Sequence, residues 1–137
     1  MNLLLIDDHE LVLQGLTSML HDEPEINSIQ SVTSVREGLE LLQNGVEIDI
    51  VLTDLQMPGM SGFELIESIK FQFPQIKILA VSMLEEPLLI QKALSLGING
   101  YVLKNEKKVN LITALRTIAL GGQYTSPNIM KALLNKS

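Results

Sequence analysis

The sequence predicts an α/β fold, a parallel sheet doubly wound with helices on both faces. Three observations carry that prediction. Short apolar runs rich in branched residues alternate strictly with longer segments of helical spacing. The runs at 3–6, 48–53 and 76–82 are apolar at nearly every position, as strands covered on both faces must be. Each strand-plus-helix unit takes roughly twenty to twenty-seven residues, which suits βα repeats joined by short loops.

The first strand is the run at 3–6. A helix over about 10–22 follows, with Leu11, Leu13, Leu16, Met19 and Leu20 at helical intervals and Pro24 as its stop. The run at 26–33 leads into a helix over 35–43, where Ser34 and Glu37 form a capping-box pattern. The run at 48–53 leads into a helix over 62–72, with Ser61 and Glu64 in the same relation and Pro74 closing it. Before the helix over 87–96 comes the run at 76–82; Pro87 suits a first helical turn and Gly97 a stop. The last run, 100–103, precedes a helix over 107–120 that ends at Gly121 and Gly122. Five strands and five helices are then complete, so 1–121 reads as one domain. Beyond it, 122–137 reads as a linker or docking helix: 123–127 is polar and turn-like, and Ser126-Pro127 starts a short helical pattern over 128–135.

Composition narrows the function. A hydrophobic share of 46% supports a packed core, and 19% charged residues is too few for a disordered tail. With two tyrosines, three phenylalanines and no tryptophan, Leu, Ile and Val must do most of the packing. The net charge is −6, and the ten Lys and Arg residues form no basic stripe, so this chain by itself is a poor nucleic-acid binder. Having no cysteine excludes disulfides, thiolate metal sites and cysteine nucleophiles. The N-terminus lacks a basic region ahead of its apolar run, and no run approaches a membrane span; a cytoplasmic protein is expected.

Chemistry gathers where the predicted strands end. Asp7 and Asp8 follow the first, Thr53 and Asp54 end the third, Ser82 ends the fourth and Lys104 follows the fifth. In doubly wound sheets ligands bind beyond these carboxyl ends. If the first and third strands are neighbours, three carboxylates meet. Two of them ~4 Å apart repel by about 4 kcal/mol at an effective dielectric near 20. The cluster therefore needs a divalent cation or protons. All-oxygen donors select a hard ion, Mg²⁺ or Mn²⁺. With Lys104 as a point charge and Ser82 as a hydroxyl donor, the set describes a phosphoryl site with an aspartate acceptor. Singly, each of these residues is more simply a helix cap or a surface side chain; the pattern rests on their coincidence at four strand ends.

These residues resemble those of a CheY-like receiver domain of a two-component response regulator, over about 2–120. The likeness lies in Asp7-Asp8, in Asp54 within the segment 53–62 (TDLQMPGMSG), in Ser82 after Ile-Leu-Ala-Val, and in Lys104 closing Gly-Tyr-Val-Leu-Lys. It implies strand order 2-1-3-4-5 and phosphorylation of Asp54 by a sensor histidine kinase. Further, it implies Mg²⁺ on Asp8, Asp54 and the Gln56 backbone carbonyl, with Asp7 acting through water, and Ser82 and Lys104 on the phosphoryl oxygens. Tyr101 matches the switch aromatic, rotating inward as Ser82 moves onto the new charge; read without the resemblance, it is a partly buried edge-strand tyrosine. Gln56 and Leu84 fall where water access is tuned, and Met83 where a small residue is frequent. His9 and His21 read as surface. Asn105, where many receivers carry proline, and the segment 121–127 resemble the NarL/LuxR-type subfamily. That likeness implies a helix-turn-helix DNA-binding domain absent from this chain and homodimers on phosphorylation. A stand-alone receiver acting through protein contacts is the alternative. Such a domain is not an enzyme beyond its own phosphorylation and dephosphorylation.

Two rival chemistries fit less well. A phosphatase of haloacid-dehalogenase type expects Asp-x-Asp after the first strand, not an adjacent pair. A flavodoxin-like cofactor binder needs a glycine- and hydroxyl-rich loop there, and Asp-Asp-His-Glu would repel the phosphate.

Overall fold

Alternation of strand and helix runs through all the described residues, 1–135, of the computed structural model; Lys136 and Ser137 of the expected linker lie outside them. In chain order the elements are β1 (Asn2–Ile6), α1 (Glu10–Leu20), β2 (Ser28–Val32), α2 (Val35–Gln43), β3 (Ile50–Thr53), α3 (Gly62–Gln72), β4 (Lys77–Ser82), α4 (Pro87–Ser95), β5 (Gly100–Leu103), α5 (Lys108–Ala119), β6 (Tyr124–Thr125) and α6 (Pro127–Leu134). None of these helices is long and apolar enough to cross a membrane.

The strands form one parallel sheet in the order β2-β1-β3-β4-β5-β6. The doubly wound α/β class is as expected, and the order of the first five strands agrees. The strand count does not: the described residues form six strands where five were expected, while α6 falls on the short helical pattern expected over 128–135. Tyr124 and Thr125 are too few to register as a strand in the sequence. The sheet recruits them because an open β5 edge leaves peptide groups to satisfy. Tyr124 N–H donates to the Asn99 carbonyl at 3.1 Å and Ser126 N–H to the Tyr101 carbonyl at 3.0 Å. The tail, expected as a linker or docking helix, packs on the sheet, with Ile129 of α6 fully buried.

Residue alternation sends strand side chains to two apolar clusters. Leu4, Ile6, Val51, Ile78 and Tyr101 belong to one, with residues of α2, α3, α4 and α6. Leu3, Leu5, Ile50, Leu79 and Val102 belong to the other, with α1 and α5. Burial on both faces is the reason for the unbroken apolar runs. β2, at the edge, stays largely exposed and is correspondingly polar.

Both expected serine caps form. The reciprocal box closes only at Ser61 and Glu64. At Ser34 the Glu37 carboxylate instead accepts the hydroxyls of Thr33 and Ser34, each at 3.1 Å. Because β1, β3, β4 and β5 are consecutive in the sheet, their carboxyl ends stand in a row. The chain leaves β1 towards β2 on one side and later reaches β3 on the other, so the order reverses between β1 and β3.

Candidate functional site

Adjacent strands lie about 4.8 Å apart, so the register decides which side chains meet. Ile6 pairs with Thr53, Thr53 with Ala80, and Ser82 with Leu103. Asp7, Asp54, Ser82 and Lys104 therefore share one end of the sheet. The Asp7 and Asp54 side chains are only 4% and 3% exposed. Lys104 Nζ lies between them, 2.9 Å from Asp7 Oδ2 and 3.1 Å from Asp54 Oδ2. Burial by itself would lower the Lys104 pKa, but hydrogen bonds and opposite charges from Asp7 and Asp54 outweigh it and hold the pKa above the ordinary value. Lys104 thus stands between two of the three carboxylates that the sequence places at strand ends.

The backbone fixes both carboxylates. Asp54 Oδ1 accepts the Leu55 N–H at 2.7 Å, and the Thr53 hydroxyl donates to the Asp54 carbonyl at 2.8 Å. Asp7 Oδ1 accepts the His9 N–H at 2.8 Å. Gly62, the last residue of the 53–62 segment, starts α3. A Cβ there would collide with the Asp54 carbonyl oxygen and come within 2.7 Å of Leu55 Cα. Only glycine lets α3 begin this close to Asp54.

Asp8 has one oxygen, Oδ1, that is fully buried yet makes no hydrogen bond. His9, read from the sequence as surface, is exposed, but its Nδ1 sits 3.2 Å from Asp7 Oδ1 and 3.2 Å from Asp8 Oδ1. Ligand atoms of Asp7, Asp8 and His9 all lie within 4.8 Å of one another. A buried Asp8 oxygen beside the Asp7 carboxylate fits a hard divalent cation, but the His9 nitrogen in the same grouping departs from the all-oxygen set expected from the sequence. Asp54 is not in that grouping; its Oδ2 faces the Lys104 ammonium. Gln56 is exposed in the loop after Asp54.

Ser82 and Tyr101 are both fully buried. Ser82 Oγ accepts the Leu84 N–H at 3.1 Å, and the Tyr101 hydroxyl donates to the Leu84 carbonyl at 3.0 Å. The Leu84 main chain thus ties the two together, a link that no side-chain pattern could reveal. Burial pushes the Tyr101 phenol up to about 12, partly offset by the Ser82 hydroxyl beside it. Tyr101 is not on the sheet edge, since β6 covers β5.

A family model, the response regulator receiver domain, matches residues 3–116. The chain belongs to that family. This receiver is 36% identical over 136 residues to the response regulator GacA of Pseudomonas viridiflava, covering 98% of this chain and 62% of GacA. The isolated REC domain of RcsB from Salmonella enterica serovar Typhimurium, solved with the phosphomimetic BeF₃⁻, superposes with a TM-score of 0.90 at 29% identity. That match covers 97% of this chain and 98% of the RcsB domain. A LuxR-family response regulator from Aurantimonas superposes with a TM-score of 0.90 at 27% identity, over 98% of this chain and 96% of that one. The receiver spans about three-fifths of the length of the curated relatives it matches. Receivers are signalling domains of two-component systems, and the NarL/LuxR-type likeness read from the sequence agrees with these relatives.

Proposed function

We propose that Asp54 accepts a phosphoryl group from the phosphohistidine of a sensor histidine kinase. The P–N bond breaks as a P–O bond forms to a carboxylate oxygen, and the imidazole departs with the electron pair. The observation that carries this reading is the Lys104 ammonium held between Asp7 and Asp54 at 2.9 and 3.1 Å, beyond the carboxyl ends of neighbouring strands. Asp8, Asp54 and the Gln56 carbonyl would hold Mg²⁺, or Mn²⁺, with Asp7 acting through water. The cation supplies charge neutralisation for the phosphoryl oxygens. Lys104 turns part of its ion pairing onto the phosphoryl group, and the Ser82 hydroxyl donates to it. As Ser82 moves, the inward position of Tyr101 becomes the favoured one.

The phosphorylated receiver, 1–121, then acts on an output, through homodimers and a helix-turn-helix domain joined by 122–137. DNA is reached only through that domain, and the setting is the cytoplasm. The related response regulator RcsB has been solved as two dimers bound to two parallel DNAs, which supports this output. Acetyl phosphate with Mg²⁺, followed by intact mass, tests the reading. One phosphoryl adduct on the wild type and none on Asp54→Asn is expected; an adduct that persists in Asp54→Asn sinks it.

A further inference from the structure

The segment 124–134 packs on the strand that carries Tyr101. Thr125 pairs with Tyr101, and Tyr124 with Gly100. The Ser126 N–H donates to the Tyr101 carbonyl at 3.0 Å. Ile129 lies fully buried in the same apolar cluster as Tyr101, Ile90 and Leu103, and α6 touches both α4 and β5. Gly100 is fitted to this arrangement: a Cβ there would stand 2.8 Å from the Tyr124 carbonyl oxygen and 2.8 Å from Ile118 Cδ1.

We infer that the β6–α6 tail is a positioning element for the phosphoacceptor: docked through Ile129 and the 125–126 main chain, it holds the Tyr101 ring inward and so favours phosphoryl acceptance at Asp54. This rests on the switch reading above. The contacts are continuous. Ser126 binds the Tyr101 main chain, the Tyr101 hydroxyl binds the Leu84 carbonyl, and the Leu84 N–H binds Ser82. A ring swinging out between α4 and β5 would have to displace α6. Whatever draws Ser82 towards Asp54 therefore strengthens tail docking. By linkage, docking strengthens binding at Asp54 by the same factor. Ser126 offers a lever of opposite sign. Its Oγ is buried without a hydrogen-bond partner among the described residues, so the docked state bears an uncompensated desolvation. Ser126→Ala should dock more tightly.

Hydrogen exchange of 124–134, read by mass spectrometry on the full chain with and without Mg²⁺ and beryllofluoride, tests this. Beryllofluoride should slow exchange in the wild-type tail about fivefold or more. Ile129→Ala should weaken beryllofluoride affinity by up to that factor, and Ser126→Ala should strengthen it. If the wild type binds beryllofluoride while tail exchange and both variants' affinities stay unchanged, the inference is overturned and the phosphoacceptor reading survives. If the wild type binds none, the phosphoacceptor reading falls and takes the inference with it. Circular dichroism checks that Ile129→Ala keeps its fold. Should it not, Ser126→Ala decides alone, and an unchanged affinity there overturns the proposal.

Discussion

Lys104 carries much of the site's electrostatic balance. Its ammonium pairs with both buried carboxylates, so it and a divalent cation answer the same charge problem. Lys104→Met should cost roughly 3–5 kcal/mol in metal-free buffer, because two acids lose their partner in a dry environment. Added Mg²⁺ should then raise the melting temperature of the variant more than that of the wild type. Equal Mg²⁺ shifts by thermal melting would separate Lys104 from the cation site. Asp54→Asn is a different case. It removes a repulsion and an ion pair together, so its effect in metal-free buffer should be small, whereas its Mg²⁺ response should shrink.

The loop from Asp54 to α3 is placed by close approach and by capping. The Ser61–Glu64 box closes the first turn of α3, and Gly62 lets that turn rest on the Asp54 carbonyl. Gly62→Ala should destabilise by about 1–3 kcal/mol through overpacking. It should also slow phosphorylation by acetyl phosphate, since the displaced atoms belong to the acceptor's own backbone. Denaturant midpoints and adduct formation over time measure the two effects. Unchanged rates with lowered stability would confine Gly62 to a packing role. At the opposite edge Gly100→Ala should lift β6 from β5, with a faster-exchanging tail as the readout.

Stability of the whole molecule should respond to alkali through its buried groups. The Tyr101 phenol, with a pKa of about 12 in the fold, keeps its proton where the unfolded chain has lost it. Its contribution is complete below pH ~10 and disappears as pH climbs towards 12, on the order of 2 kcal/mol for a shift of this size. Lys104, raised above its ordinary value, works in the same direction, present below about 10.5 and lost above it. Chemical denaturation across pH 9–12 should show the decline, and Tyr101→Phe should flatten it. An equally steep loss in that variant would assign the dependence to other groups. A cation bound only by the folded chain adds about 2.7 kcal/mol at a hundredfold excess over its Kd, so chelation should lower the melting temperature of a Mg²⁺-loaded sample.

Much of this was legible in one dimension. Double burial writes itself as unbroken apolar runs in β1, β3 and β4, and helix ends leave serine, proline and glycine marks. Asp7, Asp8, Asp54, Ser82 and Lys104 could be picked out because strand ends are where a parallel sheet exposes functional groups. Folding in three dimensions decided the rest. β6 is two residues long, and only the unfilled hydrogen bonds of β5 make it a strand. The pairing of Lys104 with Asp7 and Asp54 joins residues 97 and 50 positions apart in sequence, and depends on strand order. Leu84 acts through its main chain, which carries no residue-specific signal. Local periodicity encodes burial and caps; register, close approach and partner choice exist only once the strands have been laid side by side.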